Sequence, residues 1–149
     1  MRIVTSLLTL AVAVLLVSCS TSLVSIDGKL LTTTPCFKGN CFVPVTVDAC
    51  ADGGISTPTD AVTLGGPSLG RTRGIIWIIV TRGYRFANQG LDVKGDTTFF
   101  GSAAYLPSQR TVMASDVNVT AQNTRHPYGL RIEKLDGTSC PEFDPFVIE

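Results

Sequence analysis

Cysteine is the residue type that brings the most chemistry to this sequence. There are five cysteines in the 149 residues: Cys19, Cys36, Cys41, Cys50 and Cys140. Thiols form disulfides, bind zinc or act as nucleophiles, and their spacing helps to decide which. The last four are separated by 4, 8 and 89 residues, which fits no pair of Cys-x-x-Cys zinc knuckles. A tetrathiolate zinc site is therefore a less favoured alternative to disulfides.

The only histidine, His126, limits the catalytic and metal chemistry that the chain can support. It excludes every site that needs two histidines, including His-rich zinc and blue-copper centres. A Ser-His-Asp triad would have to use His126, which we interpret as a loop histidine in a turn before a strand. The sequence contains no Gly-x-Ser-x-Gly elbow, Walker loop, dinucleotide fingerprint or His-Glu-x-x-His motif. We predict no enzymatic activity, no metal and no cofactor.

The acidic residues do not change this prediction. Asp92 and Asp96 are too close together for an EF-hand loop, and a lysine lies between them. Twelve Lys+Arg balance twelve Asp+Glu, so the net charge of zero indicates no nucleic-acid partner. Four acids near the end of the chain could in principle pair for glycoside hydrolysis, but we interpret them as a solvated face: Glu133, Glu142, Asp144 and Glu149.

Arginine forms the one polar cluster that suggests a ligand, at Arg71, Arg73, Arg82 and Arg85. Guanidinium groups bind phosphate and carboxylate through paired hydrogen bonds, so these residues could recognise an anion. The apolar segment 75–80 separates the first two arginines from the last two, which favours two small patches over one large patch. The alternative is that the arginines pair with nearby acids and solvate the ends of loops.

Residues 1–18 have the pattern of a signal peptide. Arg2 supplies a positive start, and an uncharged apolar run of 11 residues extends from Leu7 to Val17. A helix that spans a bilayer needs about 20 apolar residues, so this run is too short for one. We therefore predict a cleaved segment rather than a permanent transmembrane anchor.

The sequence Leu16-Val17-Ser18-Cys19 resembles the lipobox of bacterial lipoproteins. In that family the cysteine thiol receives a diacylglyceryl group, the signal peptide is cut just before it, and the new amino group is acylated. The resemblance implies that Cys19 is lipidated, and two or three acyl chains anchor a protein stably. Ser20 is not the aspartate that retains many such lipoproteins in the inner membrane, so the implied location is the outer membrane, on either its periplasmic or its surface side. An ordinary secretory signal cut near Cys19 is the alternative.

The remaining four cysteines form an even set, which is typical of disulfides in an oxidising compartment. The segment after Cys41 alternates like a strand, and nine residue steps of about 3.3 Å would hold Cys41 and Cys50 about 30 Å apart. A disulfide needs Cα atoms within about 7 Å. The turn at Lys38–Asn40 favours a bond between Cys36 and Cys41, which leaves Cys50 for Cys140. The alternative is Cys36–Cys140, with free or mispaired partners.

The chain after residue 18 has the composition of a β protein. It holds all 14 glycines and all 8 prolines, but only four lysines and three glutamates, which disfavours helices. Asp27-Gly28 predicts a hairpin turn, segment 75–80 predicts a central strand buried on both faces, and segment 128–135 alternates with a period of two. We predict an all-β fold: a Greek-key β-sandwich of about seven to nine strands.

Five segments resemble small secreted proteobacterial β-sandwich proteins with immunoglobulin-like or cupredoxin-like folds: 74–80, 83–86, 90–91, 128–132 and Asp144-Pro145. The resemblance covers about residues 41–149. It implies the fold but assigns no catalytic or binding residue. Cupredoxins bind copper through two histidines, a cysteine and usually a methionine, so the single histidine of this chain does not fit a copper protein.

These patterns divide the chain into a lipoprotein signal peptide (1–18), an N-terminal tether and hairpin (19–40) and a β-sandwich domain (41–149). We expect an outer-membrane-anchored lipoprotein of the bacterial envelope that acts as a non-catalytic structural or interaction module. Its partners would be the membrane, through the N-terminal lipid, and another envelope protein. The alternative is a small binding domain for an envelope glycan or an anionic ligand.

Overall fold

The computed structural model of the protein describes residues 22–26, 29–35, 40–64, 73–95, 100–101, 103–106, 108–116 and 124–148. Cys19, Cys36 and Arg71 lie outside these ranges. The described residues form strands and no helix, which confirms the all-β class. Among them, no helix is long and apolar enough to cross a membrane. The strands are β1 (Ser22–Ile26), β2 (Lys29–Pro35), β3 (Cys41–Val47), β4 (Ile55–Ser56), β5 (Ala61–Thr63), β6 (Arg73–Ile79), β7 (Tyr84–Val93), β8 (Ala104–Tyr105), β9 (Thr111–Asp116), β10 (Arg125–Lys134) and β11 (Phe146–Ile148).

The strands form two mixed sheets. The six-stranded sheet has the order β1-β2-β5-β11-β10-β7, and the five-stranded sheet has the order β4-β3-β6-β9-β8. Three neighbouring pairs are parallel, namely β2 with β5, β5 with β11 and β3 with β6, while the other pairs are antiparallel. This arrangement is consistent with a β-sandwich. The Greek-key order, the total of seven to nine strands and the divisions of the chain at residues 18 and 40 stay predictions.

The main core lies between the two sheets and draws side chains from both. Ile75, Trp77 and Ile79 of β6 meet Phe86 of β7 and Leu130 of β10, and all five are fully buried. Full burial of a large apolar side chain contributes about 1.5–3 kcal/mol, so these residues hold the sheets together. Ile76 and Ile78, whose side chains lie on the outer side of β6, are only half-buried, and Val80 is 51% exposed. The prediction that segment 75–80 is buried on both faces was therefore wrong.

The N-terminal hairpin has the predicted position. Ile26 lies opposite Lys29, so the connection between β1 and β2 has two residues, as the Asp27-Gly28 pattern requires. β2 then pairs in parallel with β5, which builds the hairpin into the six-stranded sheet. Leu31 packs with Ala61 and Ile148 in a second, smaller apolar cluster.

β7 is one long strand that includes most of segment 83–86 and all of segment 90–91. Its pairing with β10 shifts register between Leu130 and Ile132, and Gln89 has a φ of 54° at this irregularity. Gly90 follows, and a Cβ at this position would lie 2.7 Å from the carbonyl oxygen of Arg131. Only glycine allows the two backbones to approach so closely.

The disulfide predicted between Cys50 and Cys140 is present, with Cα atoms 4.7 Å apart. It joins the loop after β3 to the segment between β10 and β11. Cys41 is also disulfide-bonded. Its predicted partner, Cys36, lies outside the described residues, so that pairing stays a prediction.

Candidate functional site

The predicted arginine cluster is divided by β6. Arg73 starts this strand and Arg82 lies in the exposed turn that follows it, and seven residues of strand span about 20 Å. Arg85 Nε donates a 2.6 Å hydrogen bond to Glu133 Oε1, so its charge is already paired within the sheet. The described arginines therefore do not form one anion site.

Arg110 has a structural role that sequence reasoning missed. One of its terminal nitrogens donates hydrogen bonds to the carbonyl oxygens of Ile79 at 2.7 Å and Val80 at 3.2 Å. These carbonyls lie at the end of β6, where the strand ladder no longer pairs them. No sequence motif indicates such a bond, because it joins residues about 30 positions apart.

His126 lies within β10, opposite Val147, and is buried. The interpretation of this residue as a loop histidine before a strand was wrong, because β10 begins at Arg125 and not after the turn. Proline at the next position did not end the pairing with β11, which continues to Phe146. Among the described residues, no group of three or more His, Cys, Asp or Glu side chains could hold a metal ion.

A chain of ion pairs at the surface joins the β7 and β10 edge of the six-stranded sheet to the segment between β10 and β11. Arg131 contacts Asp92 and donates to Glu142 at 2.7 Å, and Lys94 contacts Glu142 at 2.6 Å and Asp144 at 2.5 Å. Hydrogen bonds from Lys94 and then Arg131 lower the pKa of Glu142 to about 2. A carboxylate held in its ionised form accepts hydrogen bonds but is a poor general acid.

A polar cleft of about 300 Å³ lies next to this network. The loop between β4 and β5 forms one wall, and the segment that follows the Cys50–Cys140 disulfide forms the other. Thr32 donates to Asp60 Oδ2 from both its backbone nitrogen and its hydroxyl, each at 2.8 Å. These bonds lower the pKa of Asp60, with the side-chain bond as the larger cause. The cleft residues are Thr32, Ile55, Ser56, Thr57, Pro58, Thr59, Asp60, Phe143, Asp144 and Pro145.

The outer side of the five-stranded sheet is mostly apolar and partly exposed, and its polar residues on β3 and β9 are the uncharged Thr46, Thr111 and Ser115. Phe42, Ile76 and Met113 lie side by side on β3, β6 and β9, and Phe42 is 60% exposed and Met113 37% exposed. Every described side chain on this side of the three strands is uncharged. We call this surface the apolar face and define it as Phe42, Pro44, Ile76, Ile78, Ala104 and Met113, with Val80 and Leu106 at its ends.

The signal for the apolar face is present in the sequence but is ambiguous. Segment 75–80 is apolar at every position, which is typical of a strand with both sides covered. The same pattern arises when one side lies in the core and the other meets a partner.

No protein-family model matches the chain, and no curated protein matches it at a significant level.

Proposed function

We propose that this protein is an outer-membrane lipoprotein anchored through Cys19 that acts as a non-catalytic interaction module of the bacterial envelope. Its domain would be the Greek-key β-sandwich expected from the sequence. The observation that carries the proposal is the apolar face, which offers a partner a surface of exposed side chains on rigid strands. Val80 is 51% exposed and Leu106 is 54% exposed at its ends.

The physical argument rests on exposed apolar area. The largest contiguous apolar patch on a soluble monomer typically covers about 300–600 Å², and such a patch is often a functional interaction site. Covering such a surface releases about 25 cal/mol per Å² of apolar area. The strands already hold these side chains in place, so a partner orders little of the surface on binding. The exposed leucines Leu23, Leu30 and Leu135 lie elsewhere in the fold and are not part of the patch.

A photo-crosslinking amino acid at Phe42 tests the docking role in intact cells. We expect crosslinked protein products from position 42, and from position 104 on the same face. The same amino acid at Leu135, which is 62% exposed but lies in a turn, is the matched control. Equal crosslinking from all three positions, or none from positions 42 and 104, would contradict a docking role for the face.

The anchor has its own test. Cys19→Ala should abolish acylation and cleavage by the lipoprotein route, so that the mass and the membrane fraction of the protein change. Cys36→Ala is the matched control and should leave acylation, cleavage and the membrane fraction unchanged. If Cys19→Ala leaves processing, mass and fractionation as they were, an ordinary secretory signal replaces the lipoprotein anchor.

The polar cleft favours a second candidate function, the binding of an envelope glycan. Carboxylate oxygens, threonine hydroxyls and the ring of Phe143 are groups that hydrogen-bond to and stack on sugars. Asp60 gives the cleft a negative charge, whereas the charge of Asp144 is paired with Lys94, and this balance favours a neutral or amino sugar over an anion. Titration calorimetry with chitobiose and with glucosamine tests this candidate. Asp60→Asn and Asp144→Asn should weaken binding, whereas Asp136→Asn, in an exposed turn, should not.

A further inference from the structure

We infer that the apolar face binds a second copy of this chain, so that the mature protein forms a two-fold symmetric dimer through its five-stranded sheets. The inference deepens the proposed function, because it names the partner of the proposed docking surface. It rests on the charge of the face, on the position of the anchor and on the arrangement of Phe42, Ile76 and Met113.

The charge of the apolar face restricts what can cover it. A charged group of a partner would be buried there without an ion-pair partner, which opposes binding unless the pKa of the group shifts until it is neutral. The partner surface must therefore also be uncharged and apolar. In a two-fold dimer the same patch forms both sides of the interface, so it must be complementary to itself in charge and polarity. The apolar face does so, because it carries no like charges that would repel in the dimer.

The anchor position argues against a lipid surface as the occupant. Ser22, the first residue of β1, is three positions after Cys19, and three residues reach at most about 10 Å. β1 is the edge strand of the six-stranded sheet, whereas the apolar face is the outer side of the other sheet. Packed sheets lie about 10 Å apart, and a layer of outward side chains adds to that distance. With Cys19 in the bilayer, the apolar face is thus held away from the membrane.

The registers of the three central strands define how two copies fit. Phe42 lies opposite Ile76, and Ile76 lies opposite Met113, so the three form one row across the sheet. A two-fold axis parallel to β6 places Ile76 over the partner's Ile76 and Phe42 over the partner's Met113. Each copy then contributes one thioether and one aromatic ring to two equivalent contacts, and contacts between a thioether sulfur and an aromatic ring are favourable.

The size of the apolar face sets the expected strength. The three long strands and the two residues of β8 cover on the order of 400 Å² in projection, which is below the roughly 800 Å² per partner of a standard interface. We expect a concentration-dependent dimer. Anchoring both copies in one membrane raises their effective concentration and strengthens the association.

Sedimentation equilibrium of the mature lipoprotein in density-matched detergent tests the dimer. We expect a monomer–dimer equilibrium that Phe42→Lys weakens by at least about tenfold, because the lysine charge is buried on association. Leu135→Lys is the matched control and should change the dissociation constant less than about twofold, because it exposes the new charge to water away from the face. Near-ultraviolet circular dichroism of each variant checks that it is folded.

Complementary charges then test the axis. Phe42→Lys and Met113→Glu should each prevent self-association, but a mixture of the two variants should form a heterodimer, because the new charges face each other across the interface. A mixture that stays monomeric overturns the axis. A wild-type protein that stays monomeric, or a Phe42→Lys dimer of unchanged strength, overturns the inference. If the wild type is monomeric and position 42 still crosslinks to a different protein in cells, the proposed function stands and only the second copy is wrong.

Discussion

The indole nitrogen of Trp77 donates a 2.9 Å hydrogen bond to the hydroxyl of Tyr128, although the two residues are 51 positions apart. Trp77 belongs to β6 in one sheet and Tyr128 to β10 in the other, so the bond crosses the core. Their ring centroids lie 5.0 Å apart, and Phe100 packs against both rings at 6.2 Å and 6.1 Å. Both polar atoms are satisfied where water does not reach them.

Tyr128→Phe should destabilise the protein by about 1–3 kcal/mol, because the buried indole N–H of Trp77 is left without an acceptor. Urea unfolding followed by the fluorescence of Trp77, the only tryptophan, measures the loss. Tyr84→Phe is the matched control, since the Tyr84 hydroxyl is half-buried and bonds to no described residue. Equal losses in the two variants would contradict a role for the bond between the sheets.

Removal of the Cys50–Cys140 disulfide by a double change to serine should lower the free energy of unfolding by about 4–5 kcal/mol, from the entropy of the long loop that it closes. The same change at Cys36 and Cys41 should cost about 2–2.5 kcal/mol less, because the predicted loop is short. Urea unfolding of both double variants compares the costs, and non-reducing peptide mapping checks the connectivity. A map dominated by Cys36–Cys140 would contradict the assignment.

The stability of the protein should fall in acid partly through Glu142. Its pKa is about 2 in the folded protein against an ordinary value of 4.5, so the folded state favours the ionised form. The stabilisation is fully present above about pH 4.5 and is lost as the pH falls towards 2. Glu142→Gln should flatten the dependence of the unfolding free energy on pH between these values, as measured by urea unfolding at each pH. An unchanged slope would show that Glu142 is not responsible.

Gly129→Ala should also flatten the dependence of the unfolding free energy on pH, although the carboxylate of Glu142 is still present. A Cβ at this position would lie 2.4 Å from Glu142 Oε1, so the glutamate side chain must move away from β10. The side chain is at the surface and flexible, and we expect a cost of about 1 kcal/mol or less. The pKa of Glu142 should rise towards its ordinary value in an NMR titration. If it stays near 2, the side chain keeps its ion pairs in another conformation.

Local patterns predicted the features that depend on neighbouring residues. The Asp27-Gly28 turn predicted the pairing of β1 with β2, and the alternation of segment 128–135 predicted most of β10, whose inward side chains Leu130 and Ile132 are buried. The Cys50–Cys140 bond followed from two local arguments, the length of the strand after Cys41 and the turn at Lys38–Asn40 that favours a bond between Cys36 and Cys41. Local patterns do not predict which side chains lie next to each other on neighbouring strands.

The candidate surfaces depend on strand order, which the sequence does not encode locally. The apolar face exists because β3 and β9 flank β6 in a particular register, so that Phe42, Ile76 and Met113 meet. The ion pairs of Glu142 join β7, β10 and a later segment. The cleft forms where Thr32 meets Asp60, 28 positions later. Composition and periodicity carry no information about such distant pairings.

The position of β11 determines when the six-stranded sheet can form as one unit. It is the eleventh strand in the chain, yet it lies inside the six-stranded sheet, between β5 and β10. Until Phe146–Ile148 are in place, no described strand pairs β5 with β10, so β1, β2 and β5 form one half of the sheet and β10 and β7 the other. The sheet therefore closes only when segment 146–148 is available, and a chain truncated before residue 146 presents two unpaired strand edges to chaperones and proteases.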